Sequence, residues 1–119
     1  MAANTVLARA QSVAPGLSIA SQLLPHEAAQ AKAAGFRTII NNRPDFEGGP
    51  DQPTSAQLEA AARAEGLVYH HLPVPPSGHS DSDARRMYEL VQASPQPVLA
   101  FCRTGRRSAA LYEKGNTLP

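Results

Sequence analysis

The residues best equipped for chemistry fall in one short run, Cys102-Arg103-Thr104-Gly105-Arg106-Arg107-Ser108. It holds the only cysteine of the chain, with three arginines in the next five positions. An apolar strand-like stretch, PVLAF (97–101), leads in, and a helix-like stretch leads out. The N–H groups at a helix start lack partners within the helix, and the helix dipole adds positive potential there. Gly105 permits a tight turn and a close approach of backbone to ligand. Such a cradle binds phosphate or a similar oxyanion, and the same field favours thiolate over thiol. Cys102 therefore reads as a nucleophile. Arg107, in the first helical turn, can return its planar fork to the loop and hold two oxygens of an anion. The expected anion-binding group is Arg103, Thr104, Gly105, Arg106, Arg107 and Ser108. The side chains of Arg103 and Arg106 fit contact with the anion and plain solvated charge equally well. A lone cysteine after an apolar strand is often a small buried hydrophobe. The strand–Cys–x–x–Gly–x–Arg–Ser–helix arrangement favours the reactive reading.

The elements that must position this loop can be read along the chain. LSIA (17–20) is a possible first strand. PHEAAQAKAAG (25–35) reads as a helix, with Pro25 suited to its first position and Gly35 to its stop. RTIIN (37–41) is a buried strand, and 42–53, rich in proline and glycine, is a loop. A second helix covers 54–66, with Thr54 and Gln57 in capping-box spacing. LVYHHL (67–72) is a strand and PVPPSGH (73–79) a loop. A third helix covers 80–94, with Ser80 and Asp83 in the same spacing. After the cysteine loop, SAALYEKG makes about two helical turns before GNTLP breaks away. The fold class is α/β: a three-layer, mostly parallel four- to five-stranded sheet with helices on both faces. Residues 1–16 read as a flexible arm and 17–119 as the domain.

In open α/β sheets ligands bind beyond the carboxyl ends of the strands. The segments NNRPD, PVPPSGH and CRTGRR each follow a strand, so they should gather on one edge. Asn42 and Arg43 on that edge can line the pocket or, with slight preference, brace the cysteine loop.

Bulk properties narrow the function. A net charge of +1 over 119 residues is no footprint for nucleic acid. No apolar run approaches the ~20 residues that span a bilayer. One cysteine cannot form an internal disulfide, which fits a reducing, cytoplasmic compartment. The four histidines show no metal-ligand spacing, and no metal or cofactor is expected. The expected partner is a small anionic or phosphorylated substrate.

NNRPD, the 51–53 segment DQP, GLVYHHLPV and PVLAFCRTGRRS together resemble the beta-lactamase hydrolase-like phosphatases. That resemblance covers roughly residues 17 to 113 and implies a fold like that of dual-specificity and tyrosine phosphatases. It also implies occurrence in bacteria, alone or joined to a metallo-hydrolase domain. Cys102 matches the family nucleophile and Arg107 its anion-binding arginine. Tyrosine-phosphatase relatives read His-Cys-x-x-Gly-x-x-Arg-Ser, whereas here Phe101 replaces the histidine and only Arg106 separates Gly105 from Arg107. The acid that protonates the leaving oxygen is expected where Pro75–Pro76 stand, so Asp81 is the nearest carboxylate substitute.

CRTGRR also resembles the Cys-Arg-x-Gly-x-Arg loop of single-domain rhodanese-like sulfurtransferases, which carry a persulfide on the cysteine. The readings are thus a cysteine-dependent phosphatase-like hydrolase, a sulfurtransferase on the same cysteine, or a catalytically weak anion-binding or interaction module.

Overall fold

The computed structural model describes residues 6–119, with side chains from residue 8 onward. The chain runs α1 (Val6–Arg9), β1 (Gln11–Ala14), β2 (Leu17–Ala20), α2 (Glu27–Ala33), β3 (Thr38–Asn41) and α3 (Ser55–Ala64). It continues with β4 (Val68–His71), α4 (Asp81–Ala93), β5 (Val98–Phe101) and α5 (Arg106–Thr117). The five strands form one sheet in the order β1-β2-β5-β3-β4. β2, β5, β3 and β4 are mutually parallel, and β1 runs antiparallel on the edge. This is the expected α/β architecture, helices on both faces included.

Alternation along the strands builds two cores. Leu99 and Phe101 of β5 and Ile39 of β3 face α2 and α3, where they meet Ala28, Ala31, Leu58 and Ala62. Val98 and Ala100 of β5 and Ile40 of β3 face the other way, toward Ala84, Met87 and Val91 of α4 and Leu111 of α5. A strand buried on both faces must be apolar throughout, and VLAF is. Both expected capping boxes are present: Thr54 with Gln57 opens α3, and Ser80 with Asp83 opens α4.

The sheet reaches back past Leu17, since β1 pairs with β2 across a turn at Gly16 (φ 79°); residues 1–5 of the expected flexible arm lie outside the described ones. Gln11, Ser12 and Val13 are exposed, so this edge strand has no apolar run to betray it. Arg9 ties the segment down through paired hydrogen bonds of 2.7 Å each to Glu27. The last helix also runs beyond its expected stop, through Gly115 to Thr117. Gly115 lies so close to α4 that a Cβ there would meet the Ala84 carbonyl oxygen. This glycine serves helix packing rather than helix termination.

The parallel register sets the site. Ala20 and Asn41 both align with Phe101, and Asn41 aligns with His71. The carboxyl ends of four strands therefore share one edge, and the loops that follow them meet there.

Candidate active site

β5 ends at Phe101 and delivers Cys102 to the foot of α5. Gly105 caps that helix in the left-handed region (φ 98°), and a side chain there would press on Ile19 Cγ2 at 3.0 Å. Only glycine suits the position, and its N–H donates to Cys102 Sγ at 3.0 Å. Cys102 is 1 % exposed, at the floor of a cavity of about 350 Å³. Burial pushes its thiol pKa up. The N–H groups of Ser108, Thr104, Gly105 and Arg107 outweigh that effect and hold it below the ordinary thiol value. The sulfur thus lies among backbone donors, a setting that favours thiolate over thiol.

The cavity is lined by Pro75, Pro76, Gly78 and His79 from the loop before α4, and by Cys102, Thr104, Arg106 and Arg107 from the cysteine loop and the start of α5. Arg107 is held from behind. Its Nη1 donates to Glu47 Oε1 at 2.9 Å and to the Val74 carbonyl at 2.9 Å, and its Nη2 donates to Glu47 Oε2 at 3.1 Å. A guanidinium has five N–H donors in a rigid fork. Among the described residues, Nε–H and the second Nη2–H of Arg107 have no partner, and together they form the lateral fork that suits two oxygens of an anion.

Glu47 was hidden in the sequence. It accepts from Arg43 Nε at 3.0 Å as well as from Arg107, so one carboxylate carries two guanidinium groups. Burial raises its pKa, but Arg107 and Arg43 more than offset this and keep it below the usual carboxylate range. Gly48 makes the arrangement possible, since a Cβ there would lie 2.6 Å from Arg43 Nη2. The Gln52 side chain braces the loop by accepting from Gly48 N–H and donating to the Pro44 carbonyl. The sequence shows a Pro- and Gly-rich loop here, and nothing in it singles out Glu47 from Asp45 and Asp51.

The other expected site residues divide. Thr104 and Arg106 line the Cys102 cavity, while the Arg103 side chain is exposed and does not. Ser108 is buried, with its N–H toward the sulfur and its Oγ without a partner among the described residues. Asn42 and Arg43 do not line the cavity. Asn42 joins strand ends, donating from its backbone to Phe101 and from its side chain to the Leu72 carbonyl. Arg43 acts through Glu47 and Gln22 Oε1. Both lie outside the cavity lining and are engaged with neighbouring strand ends and loops.

Asp81 does not fit the role of acid. Its carboxylate is exposed and pairs with Lys114 of α5 at 2.8 Å. The Lys114 hydrogen bond and charge hold its pKa down, the wrong direction for a proton donor. Asp83 is engaged in the α4 cap.

A mainly parallel sheet flanked by helices on both faces, with the Cys102–Arg107 turn at its carboxyl edge, is the fold of dual-specificity and tyrosine phosphatases. Within that class, residues 9–118 match the family described as "Beta-lactamase hydrolase-like protein, phosphatase-like domain", and the chain belongs to it. It is 36 % identical over 102 residues to a beta-lactamase hydrolase-like protein of Agrobacterium fabrum. That match covers 86 % of this chain but only 23 % of the relative, so the chain spans about a quarter of that protein. A crystal structure from Neisseria meningitidis, provisionally named a phosphatase, superposes with a TM-score of 0.81 at 33 % identity. The superposition covers 92 % of this chain and 79 % of the other. The core catalytic domain of the yeast (S. cerevisiae) PP-IP phosphatase SIW14 shares the fold, with a TM-score of 0.63 at 14 % identity over 82 % of this chain and 57 % of that one.

Proposed function

We propose that the protein is a cysteine-dependent phosphatase-like hydrolase. Cys102 attacks the phosphorus of a small phosphorylated substrate and forms a phosphocysteine intermediate. The loop amides and the lateral fork of Arg107 hold the phosphoryl oxygens. The observation that carries this reading is Cys102 Sγ accepting from Gly105 N–H at 3.0 Å at the start of α5, in a cavity shared with Arg107. A nucleophile and an oxyanion cradle built from one turn place attacking atom and developing charge together.

A specific feature favours a second reading. Four residues, not five, separate Cys102 from Arg107. A shorter turn makes a smaller cradle, better matched to a sulfane sulfur than to a tetrahedral phosphoryl group. In that reading Cys102 carries a persulfide and the protein is a rhodanese-like sulfurtransferase. Joining to a metallo-hydrolase domain would be compatible with either.

Two assays separate the readings. The hydrolase should release nitrophenol from p-nitrophenyl phosphate and form no thiocyanate from thiosulfate and cyanide. Thiocyanate, with a persulfide mass gain on Cys102, would transfer the assignment to the second reading. Silence in both assays would defeat both.

A further inference from the structure

We propose that His79 is the proton donor to the leaving group, a role that rests on the hydrolase reading. Expulsion of an alkoxide or aryloxide needs a proton from a group within reach of the ester oxygen. The nearby carboxylates are committed elsewhere: Glu47 to Arg43 and Arg107, Asp81 to Lys114, and Asp83 to the α4 cap. Of the side chains that line the Cys102 cavity, the arginines stay protonated and the Thr104 hydroxyl does not ionise near neutrality. Cys102 is the nucleophile. His79 is the remaining group whose proton can move between pH 5 and 8.

Its position is fixed from both sides. The preceding loop closes a turn from Gly78 N–H to the Pro75 carbonyl at 3.3 Å. The following residue, Ser80, is the N-cap of α4 and is locked by its capping box with Asp83. His79 therefore lines the same cavity as Cys102, the space into which the outgoing half of a substrate seated on that sulfur extends. Arg106 and Arg107 face this space from α5.

The step balances. The Cys102 thiolate forms the S–P bond as the P–O ester bond breaks. The leaving oxygen takes the imidazolium proton, and His79 becomes neutral. A water then attacks phosphorus while the neutral imidazole accepts its proton. The S–P bond breaks, inorganic phosphate departs and the thiolate returns.

The test compares an ester with a good leaving group, p-nitrophenyl phosphate, and one with a poor leaving group, phenyl phosphate, in wild type, His79→Ala and His79→Gln. A proton donor contributes on the order of 10²–10⁴ where it is needed. The inference predicts a fall in phenyl phosphate turnover of about 100-fold or more in both variants. It predicts a fall of less than about 10-fold with p-nitrophenyl phosphate, whose leaving group barely needs the proton. Added imidazole should restore part of the lost activity in His79→Ala. Equal losses on both esters, or none, would overturn the assignment while leaving the hydrolase reading intact. A wild type inactive on both esters would overturn the hydrolase reading and the inference with it. Unchanged alkylation kinetics of Cys102 in the variants establish that the loop is undisturbed.

Discussion

Cys102→Ser is expected to lower turnover by at least about three orders of magnitude while the fold and the anion site persist. The substitution keeps the shape of the side chain. It replaces a thiol whose pKa the loop holds below the ordinary value with a hydroxyl that does not ionise near neutral pH. The N–H groups of the loop would then face a neutral oxygen and activate nothing. Sulfate or phosphate should still bind, because Arg107 and the loop amides are unchanged. Turnover measured beside an anion-binding titration separates the two effects. Retained turnover in the serine variant would remove Cys102 from the mechanism altogether.

The second large effect is expected at Glu47, a residue that no motif in the sequence marks. Glu47→Gln keeps the shape and removes the charge shared by Arg43 and Arg107. The side chains of those arginines are only 10 % and 12 % exposed, so losing their common partner leaves two guanidinium groups close together and poorly solvated. Breaking such a pair by removing one member costs roughly 3 kcal/mol. Displacing Arg107 by about 1 Å would cost on the order of 100-fold in kcat/KM. Urea denaturation and steady-state kinetics on one sample check both figures. Arg107→Lys should lose comparable activity with less loss of stability, because a charge remains but the planar fork does not. Unchanged kinetics in Glu47→Gln would show that Arg107 needs no support. The folded-state pKa of Glu47 is depressed, so its contribution to stability is complete above the unfolded carboxyl pKa of ~4.3. It is lost as pH falls through the lower folded value.

The parts legible in the sequence are those governed by local chemistry. Thr54 with Gln57 and Ser80 with Asp83 announce helix starts, because capping depends on residues three apart. VLAF and TIIN announce central strands, because burial on both faces demands unbroken apolarity. The cysteine loop is legible because nucleophile, glycine and arginine lie within one turn. What escaped depends on contacts distant in sequence. β1 is exposed and partly polar, so only its pairing with β2 defines it. Gly115 looks like a helix stop until α4 is seen against it. Asp81 likewise meets a partner distant in sequence. α5 carries Lys114 alongside α4 and pairs it with Asp81, turning an expected acid into half of a surface ion pair. Glu47 lies sixty residues from Arg107 in a loop without periodicity, and only the fold joins them.

The proposition beneath all of this is that backbone N–H groups hold Cys102 as a thiolate at the cavity floor. The pH profile of its alkylation by iodoacetamide tests that proposition directly. Its midpoint is more informative than its rate, because restricted access slows labelling without moving the titration. A group with a depressed pKa is ionised at lower pH than the free thiol, so the midpoint should fall clearly below ~8.5. A midpoint at or above that value would mean that burial, not the amide nest, governs the sulfur, and the nucleophile would have to be sought elsewhere.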